Sequence, residues 1–336
     1  MNKSNIPLKT DNNRFMRVFR NIGPVYYALL ILIVIGVISQ PTFSSIRNVR
    51  NIIISTTPWA IAAIGQTLVL LIAGIDLSIG SVISLTNTLA AFLMKSNPEQ
   101  EFLIILLCIA SGTIIGLING LGVAKLRLNP FIFTLATGIA IQGVTLSVMY
   151  QPGGLVTEKF LAVSRASLGP IPAALIYIII LYVLGWLLLK KTPFGLSIYA
   201  IGGNEMAARL SGLRTDRTKV IVYAISGFLA SLAGLFIASR IGSGDPIVGD
   251  SISLDTITAS VLGGTSLFGG VGGLIGSLSG SFFIGILSST LNLNNISPFL
   301  QWVIKGLILI LSLALDLWQK STIRKAIIPN GTGVNQ

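Results

Sequence analysis

The stretch TITASVLGGTSLFGGVGGLIGSLSGSFFIGILSSTLNLNNISPFLQWVI, residues 256–304, contains no Asp, Glu, Lys or Arg. A helix needs about 20 mostly apolar residues to cross a bilayer, so this uncharged stretch is long enough for at least two crossings. Its glycine-rich middle, residues 263–273, interrupts the first of them. That crossing is therefore expected to be short, or to be a re-entrant segment whose backbone groups are satisfied by protein or water.

The rest of the chain has the same character. Of its 336 residues, 52% are hydrophobic and only 10% are charged, whereas about 25% are charged in a soluble domain. The predicted fold class is an all-α integral membrane protein, a polytopic bundle of about ten transmembrane helices, or eight to ten if one is re-entrant. The apolar segments are 24–40, 52–73, 77–94, 102–124, 129–150, 170–189, 220–239, 256–271, 273–294 and 298–318.

The composition also excludes several kinds of chemistry. The chain has no His and one Cys, Cys108, so we expect no internal disulfide, no multi-cysteine zinc site and no histidine-based catalysis. No metal or cofactor is expected. The glycine-rich run 263–270 lacks the Lys and Ser or Thr of a phosphate-binding loop, and it favours close helix packing instead. The net charge of +12 comes from residues that lie between apolar segments, which indicates membrane topology and not nucleic-acid binding.

The distribution of Lys and Arg predicts the orientation of the chain. These residues concentrate on the side of the membrane that the N-terminus occupies, and this pattern marks the cytoplasmic side. The predicted organisation is a cytoplasmic tail at 1–23, a transmembrane region at 24–318 and a cytoplasmic tail at 319–336. Two long polar connections are expected to be functional, 190–219 on the inner side and 240–255 on the outer side.

The segment GIDLSIGS, residues 74–81, contains Asp76, the only charged residue between Arg50 and Lys95. Asp76 or Ser78 is expected to cap the following helix by accepting hydrogen bonds from its free N–H groups. Alternatively, Asp76 lines a translocation path, because ionisable groups at membrane depth often mark such paths. The two roles are compatible.

Several neutral polar residues lie inside apolar segments, and they are expected to face the interior of the bundle. Gln66, Thr134 and Gln142 are candidates for the translocation path, although contacts between helices are the more ordinary role. As a set, amides and hydroxyls suit a neutral polyhydroxy solute better than an ion. Lys305, together with Asp316, is expected to anchor the last helix at its ends.

The inner connection contains a second motif, residues 195–212. Asn204 is a good N-cap, Glu205 suits the positive first turn, Arg209 lies four residues later and Gly212 ends the helix. This pattern predicts a two-turn helix outside the bilayer, with Met206, Leu210 and Leu213 on one face. Such a helix either docks into a groove of a partner or lies on the membrane surface.

Three runs carry a resemblance to a known family. AGIDLSIGS at 73–81, YAIGGNEMAARLSGL at 199–213 and LDTITASVLGGTSLFGG at 254–270 resemble the permease subunit of ribose-type sugar ABC importers. The similarity extends from about residue 40 to 318, in the same order and at similar spacing.

This resemblance implies a transport subunit and not an enzyme. The implied partners are two ATP-binding subunits, an extracytoplasmic solute-binding protein, a second permease copy in a homodimer or heterodimer, and membrane lipid. The implied location is the bacterial plasma membrane, and the implied solute is ribose or a related pentose or hexose. The inner helix would couple to the ATPase through Asn204, Glu205, Ala207, Ala208, Arg209 and Gly212. Met206 is an extra residue within the family's Glu-Ala-Ala pattern.

Other functions remain open from the sequence. Related permeases carry nucleosides, branched amino acids or signalling sugars. A secondary transporter driven by an ion gradient would need carboxylates near the middle of the membrane, and apart from Asp76 the sequence pattern points to none. A membrane-embedded enzyme is remote because the chain lacks a convergent set of catalytic groups.

Overall fold

A computed structural model describes the backbone of residues 24–327 and the side chains of residues 25–314. The predicted tail 1–23 and the end of the predicted tail 319–336 lie outside the described residues. The described chain is almost entirely helical. Its helices are α1 (Pro24–Ser39), α2 (Ile46–Leu71), α3 (Ile79–Ser96), α4 (Glu101–Ala124), α5 (Pro130–Val148), α6 (Glu158–Arg165), α7 (Ala173–Lys191), α8 (Pro193–Gly203), α9 (Glu205–Leu210), α10 (Thr215–Ile241), α11 (Ile252–Leu262), α12 (Leu274–Leu293) and α13 (Pro298–Ile327).

Other regular structure is short. Two 3-10 turns lie at Pro41–Ser44 and Pro98–Gln100. Two two-residue strands, β1 (Ser167–Leu168) and β2 (Ile171–Pro172), pair antiparallel between α6 and α7.

The helices confirm the predicted class of a polytopic helical membrane protein. Six are long and apolar enough to cross a membrane, namely α2, α4, α5, α7, α10 and α12, and shorter apolar helices occur in α1, α11 and α13. Each of the ten apolar segments read from the sequence contains a helix. The boundaries differ most at α11, which ends at Leu262, nine residues before the end of the predicted segment, and at α13, which continues nine residues beyond its segment to Ile327.

The predicted segment 256–271, which the glycine-rich run interrupts, differs from the other apolar segments. Helix α11 has 11 residues, so it rises about 16 Å and is too short to cross a bilayer alone. The glycine-rich residues that follow it are not helical, and the Gly270 N–H donates to the Leu71 carbonyl at 3.0 Å. Because protein satisfies this backbone, the re-entrant alternative describes residues 252–273 better than a complete crossing.

Helices α2 and α10 form the centre of the bundle. Buried residues make up 78% of the apolar window of α2 and 67% of that of α10, against 17% for α5 at the periphery. Helix α10 packs against α4 through glycines that allow the two backbones to touch. A Cβ atom built on Gly227 would overlap the carbonyl oxygen of Gly112, and one on Gly116 would overlap that of Tyr223. Small residues at these positions therefore set the distance between the two helices.

We expect Gly227→Ala to destabilise the protein by about 1–3 kcal/mol, because the added methyl group would force α4 and α10 apart. The measurement is the thermal unfolding midpoint of the detergent-purified protein. Gly143→Ala is the matched control, since a Cβ there meets no atom within 4 Å and Ala favours a helix over Gly. Equal midpoints for the two variants would contradict the close-packing argument.

Candidate functional site

Helix α3 begins inside the bundle and not at a membrane surface. After α2 ends, residues 72–78 turn back, with the Gly74 N–H donating to the Val69 carbonyl at 3.0 Å. The Tyr223 hydroxyl donates to the Ile75 carbonyl at 3.4 Å. Tyr223 is eight residues into α10, about 12 Å along its axis from the helix start. The segment that holds Asp76 therefore lies well inside the bundle.

The connection between α10 and α11 enters the bundle from the other end of α3. The Asp245 N–H donates to Asn87 Oδ1 at 2.6 Å, and the Gly249 N–H donates to Ser84 Oγ at 2.9 Å. Ser253 Oγ then accepts from the Gly80 N–H at 2.8 Å. This path descends about 10 Å along α3, so the first turns of α3 and α11 meet inside the protein.

The same contacts correct the predicted outer connection 240–255. Helix α10 continues to Ile241 and α11 begins at Ile252, so residues 242–251 form the connection. Asp255 consequently belongs to the first turn of a buried helix.

The carboxylate of Asp76 is satisfied within the protein. Its side chain is buried, Oδ1 accepts from the Ser78 N–H at 3.0 Å and from Ser78 Oγ at 2.6 Å, and Oδ2 accepts from Ser226 Oγ at 2.8 Å. Asn119 Nδ2 donates to Ser78 Oγ at 2.8 Å. The negative charge lies beside the N-terminus of α3, where the helix dipole stabilises it. The predicted cap is therefore absent, because neither Asp76 nor Ser78 accepts from an N–H group of α3. Asp76 instead closes the turn before the helix through the N–H of Ser78, two residues later.

Thr134 belongs to the same cluster, whereas Gln142 lies at the other break. Thr134 Oγ1 accepts from the Leu77 N–H at 3.1 Å, and its single proton lies within reach of the Pro130 carbonyl at 2.8 Å and the Ile75 carbonyl at 3.2 Å. Gln142 Nε2 donates to the Pro246 carbonyl at 2.8 Å, which ties α5 to the connection 242–251. Each side chain therefore satisfies backbone groups that have no helical partner.

Gln66 stands apart from both sets of contacts. It is completely buried in α2, and neither of its amide atoms has a hydrogen-bond partner among the described residues. Its neighbour Thr67 contacts Ser277 Oγ at 2.6 Å and Ser260 Oγ at 3.0 Å.

Sequence reasoning missed Ser226 and Ser253, which hold the two breaks together. Ser226 Oγ donates to Asp76, and Ser253 Oγ bridges the Gly80 N–H and the Leu77 carbonyl. A serine in a transmembrane helix often bonds to its own backbone, so its residue type alone does not indicate such a role.

A buried ion pair corrects the expectation for Lys305. Lys305 Nζ lies 2.8 Å from Asp255 Oδ2, and the two side chains are only 13% and 4% exposed. The ammonium also lies 5.1 Å from the centre of the Trp59 ring. Lys305 is seven residues into α13, about 10 Å along the helix, so it is not an end anchor. Asp255 is a second carboxylate inside the bundle, which the sequence pattern did not indicate.

The predicted helix of the inner connection is present as α9. Asn204 Oδ1 accepts from the Ala207 N–H at 2.9 Å and caps it. Gly212 has φ +85° and the Leu213 N–H donates to the Ala208 carbonyl at 3.1 Å, so a left-handed glycine ends the helix. The predicted inner connection 190–219 contains two short helices, α8 and α9. They lie between the end of α7 and the start of α10.

Ion pairs fasten α9 to the start of α10. Glu205 Oε2 lies 2.6 Å from Lys219 Nζ, and Arg209 Nη2 lies 2.6 Å from Asp216 Oδ1 and 3.7 Å from Glu205 Oε1. Ala208 is buried beneath the helix. Glu205 and Arg209 therefore hold the helix in place.

The outward face of α9 is apolar. Met206 is 66% exposed and Leu210 is 82% exposed. Behind this face, α8 touches the membrane helices directly, because a Cβ atom on Gly202 would overlap the Leu71 carbonyl oxygen. Tyr199 donates from its hydroxyl to the Gly272 carbonyl at 3.0 Å.

In the described part of the chain, no group of three or more His, Cys, Asp or Glu residues is placed to hold a metal ion. Apart from Gln66, the buried polar groups described above contact one another or backbone atoms. The arrangement provides hydrogen-bonding groups inside a membrane bundle and an exposed apolar face on α9.

Comparison with known proteins gives consistent matches. The family model described as "Branched-chain amino acid transport system / permease component" matches residues 48–313. The ribose import permease protein RbsC of Haemophilus influenzae is 43% identical over 298 residues, which cover 87% of this chain and 91% of the relative. RbsC of Bacillus subtilis is 40% identical over 316 residues, 92% of this chain and 97% of the relative. The galactose/methyl galactoside import permease protein MglC of Escherichia coli is 35% identical over 328 residues, which cover 91% of this chain and 96% of the relative. No solved structure matches this chain.

If Asp76 has only this structural role, Asp76→Asn will retain the fold and most transport, because the Asn side-chain oxygen can accept from the Ser78 N–H in the same turn. Asp76→Ala is expected to cost about 1–3 kcal/mol, since it leaves the Ser78 N–H and the Ser226 hydroxyl without their buried acceptor. The measurements are the thermal unfolding midpoint and solute uptake. Loss of uptake in a stable, normally expressed Asp76→Asn protein would instead favour direct contact with the solute.

Proposed function

This chain belongs to the branched-chain amino acid transport system / permease component family, and from that premise we propose that it carries ribose, or a related pentose or hexose, across the membrane. It is the permease component of an ABC importer of the simple-sugar type and is not itself an enzyme. The proposed solute rests on one observation. Over nearly the whole chain, the sequence is 35–43% identical to permeases named for ribose and galactose.

The polar groups inside the bundle agree with a neutral solute. The carboxylate of Asp76 is held by hydroxyl and backbone groups, and the carboxylate of Asp255 is neutralised by Lys305. Hydrogen-bonding groups around Asp76 and the pairing of Asp255 with Lys305 support a neutral polyhydroxy solute.

The proposed partners supply what this chain lacks. Two cytoplasmic ATP-binding subunits provide the energy, an extracytoplasmic binding protein delivers the sugar, and a second permease copy completes the passage. Met206 and Leu210 on α9 form an exposed apolar face of the kind that anchors a protein interface. This face supports α9 as the coupling helix, with both chain termini on the cytoplasmic side.

In the proposed mechanism, ATP binding draws the two ATPase subunits together and moves α9 with them. Because ion pairs join α9 to α10, the movement passes to the helix at the centre of the bundle. The passage then alternates between openings to the two sides of the membrane.

Uptake of radiolabelled sugars by liposomes that contain the assembled importer tests the proposed function. We expect uptake of ribose, or of galactose or another sugar in the panel, to require both ATP and the binding protein. Uptake that an ion gradient drives in the absence of ATP would contradict the proposal. Import of a nucleoside instead of a sugar would agree with the importer function and contradict the proposed solute.

The coupling role of α9 predicts that Leu210→Asp will abolish binding of the ATP-binding subunits and lower uptake by at least about tenfold, the effect of losing about 1.4 kcal/mol of docking energy. Leu210 is the suitable position because its exposed side chain contributes little to the fold, whereas Glu205 pairs with Lys219. Co-purification and uptake are the measurements. Leu155→Asp, at an exposed leucine between α5 and α6, is the control, and normal assembly of Leu210→Asp would refute the role.

A further inference from the structure

A cavity of about 360 Å³ lies between the first turns of α11 and the outer half of α13. This volume falls in the range of about 300–1,000 Å³ that is usual for small-molecule sites. Its lining combines carboxylates, an ammonium group, hydroxyls and an indole ring, contributed by Asp250, Ser251, Leu254, Asp255, Thr258, Trp302, Lys305, Gly306 and Leu309. Apolar walls with a few converging polar groups are typical of a ligand site.

The ion pair in this cavity offers hydrogen bonds without a net charge. A Lys ammonium has three N–H donors, and Asp255 Oδ2 accepts from Lys305 Nζ at 2.8 Å. The remaining donor capacity of Lys305 and the acceptor capacity of Asp255 are available to adjacent hydroxyl groups, which both accept and donate. The hydroxyls of a neutral polyhydroxy molecule therefore match these donors and acceptors. An ion would add a net charge beside the neutral ion pair.

The indole ring of Trp302 adds an apolar wall. It is 60% exposed and lines the cavity from α13. An indole presents a broad apolar face with one N–H donor at its edge. The C–H face of a sugar ring fits against such a surface while its hydroxyls point toward the ion pair.

Buried polar atoms continue from the cavity along α2. Trp59, beside Lys305, has an indole N–H without a hydrogen-bond partner in the described structure, and both amide atoms of Gln66 also lack one there. Residues 59 and 66 are seven apart and so share one face of the helix. Unsatisfied polar atoms in a buried position are costly, and passing hydroxyls would satisfy them.

We propose that the cavity between α11 and α13 is a binding site for the sugar on its way through the membrane, with Lys305 and Asp255 bonding its hydroxyls and Trp302 packing against its ring. This inference rests on the proposed function. Trp59 and Gln66 form the next polar contacts inward. Because Leu254 and Trp302 are exposed on the outside of the bundle, the second permease copy provides the opposite wall.

Cysteine labelling tests the site directly. Cys108 is completely buried, so a Leu254→Cys protein has one accessible thiol. We expect a charged thiol reagent to label Leu254→Cys in the assembled importer in liposomes, and ribose or galactose with the binding protein and ATP to slow labelling several-fold. Ile310→Cys, at an exposed position of α13 outside the lining, is the control and is expected to show no effect of sugar.

A second set of variants tests the indole ring. We expect Trp302→Ala to lower sugar uptake roughly tenfold in an importer that still assembles, and Trp302→Phe to restore most uptake because it keeps an aromatic face. Trp186→Ala, at an exposed tryptophan of α7, is the control and is expected to transport normally. Single substitutions of Asp255 or Lys305 are avoided because each leaves an unpaired buried charge.

The outcomes separate the two proposals. If the wild-type importer takes up sugar, but the Leu254 thiol is unreactive or unprotected and Trp302→Ala transports normally, the site is wrong and the function stands. If the wild-type importer takes up no sugar with ATP and the binding protein, the proposed function fails and the site fails with it.

Discussion

The structure depends on one constraint, which is that every backbone N–H and C=O group inside a membrane must find a partner within the protein. A continuous helix meets this requirement by itself, but α3 and α11 both begin inside the bundle. The N–H groups at and just before the start of α3 are served by side chains, from the connection itself and from other helices. Ser253 bridges the two starts, Thr134 serves the Leu77 N–H, and Asp76 serves that of Ser78. Many of the polar side chains in the bundle therefore form hydrogen bonds to backbone groups that have no helical partner.

The same constraint explains why the two buried carboxylates differ. Asp76 is stabilised by hydroxyls, by a backbone N–H and by the start of α3, without a cation among its described partners. Asp255 also lies at a helix start, but it is neutralised by Lys305 from α13, a helix with few other contacts to the bundle. The first arrangement, the hydrogen bonds of Asp76, stabilises the turn before α3 inside the bundle. The second arrangement, the ion pair of Asp255 and Lys305, joins α11 to α13 beside the cavity between these helices.

The sequence predicts the crossings well because hydropathy is a local property of about 20 residues. It also predicts α9, whose cap Asn204 and terminal Gly212 are close in the chain. It does not predict how the connection 242–251 descends beside α3, because that course depends on Ser84 and Asn87, residues more than 150 positions earlier. Asp255 and Lys305 were assigned to a loop and a helix end for this reason. Pairings between distant helices have no periodic signal in one sequence.

The glycine contacts between α8 and the membrane helices have a mechanical consequence. At Gly202 and Gly270, backbone meets backbone at the end of α2, with no side chain between them. A joint of this kind is stiff, because packed protein is nearly incompressible and there is no side chain to change rotamer and absorb a displacement. If the inner helices move as the proposed mechanism requires, this contact would pass their displacement directly to α2 and to the glycine-rich segment after α11, where Gly269 and Gly270 have left-handed backbone conformations.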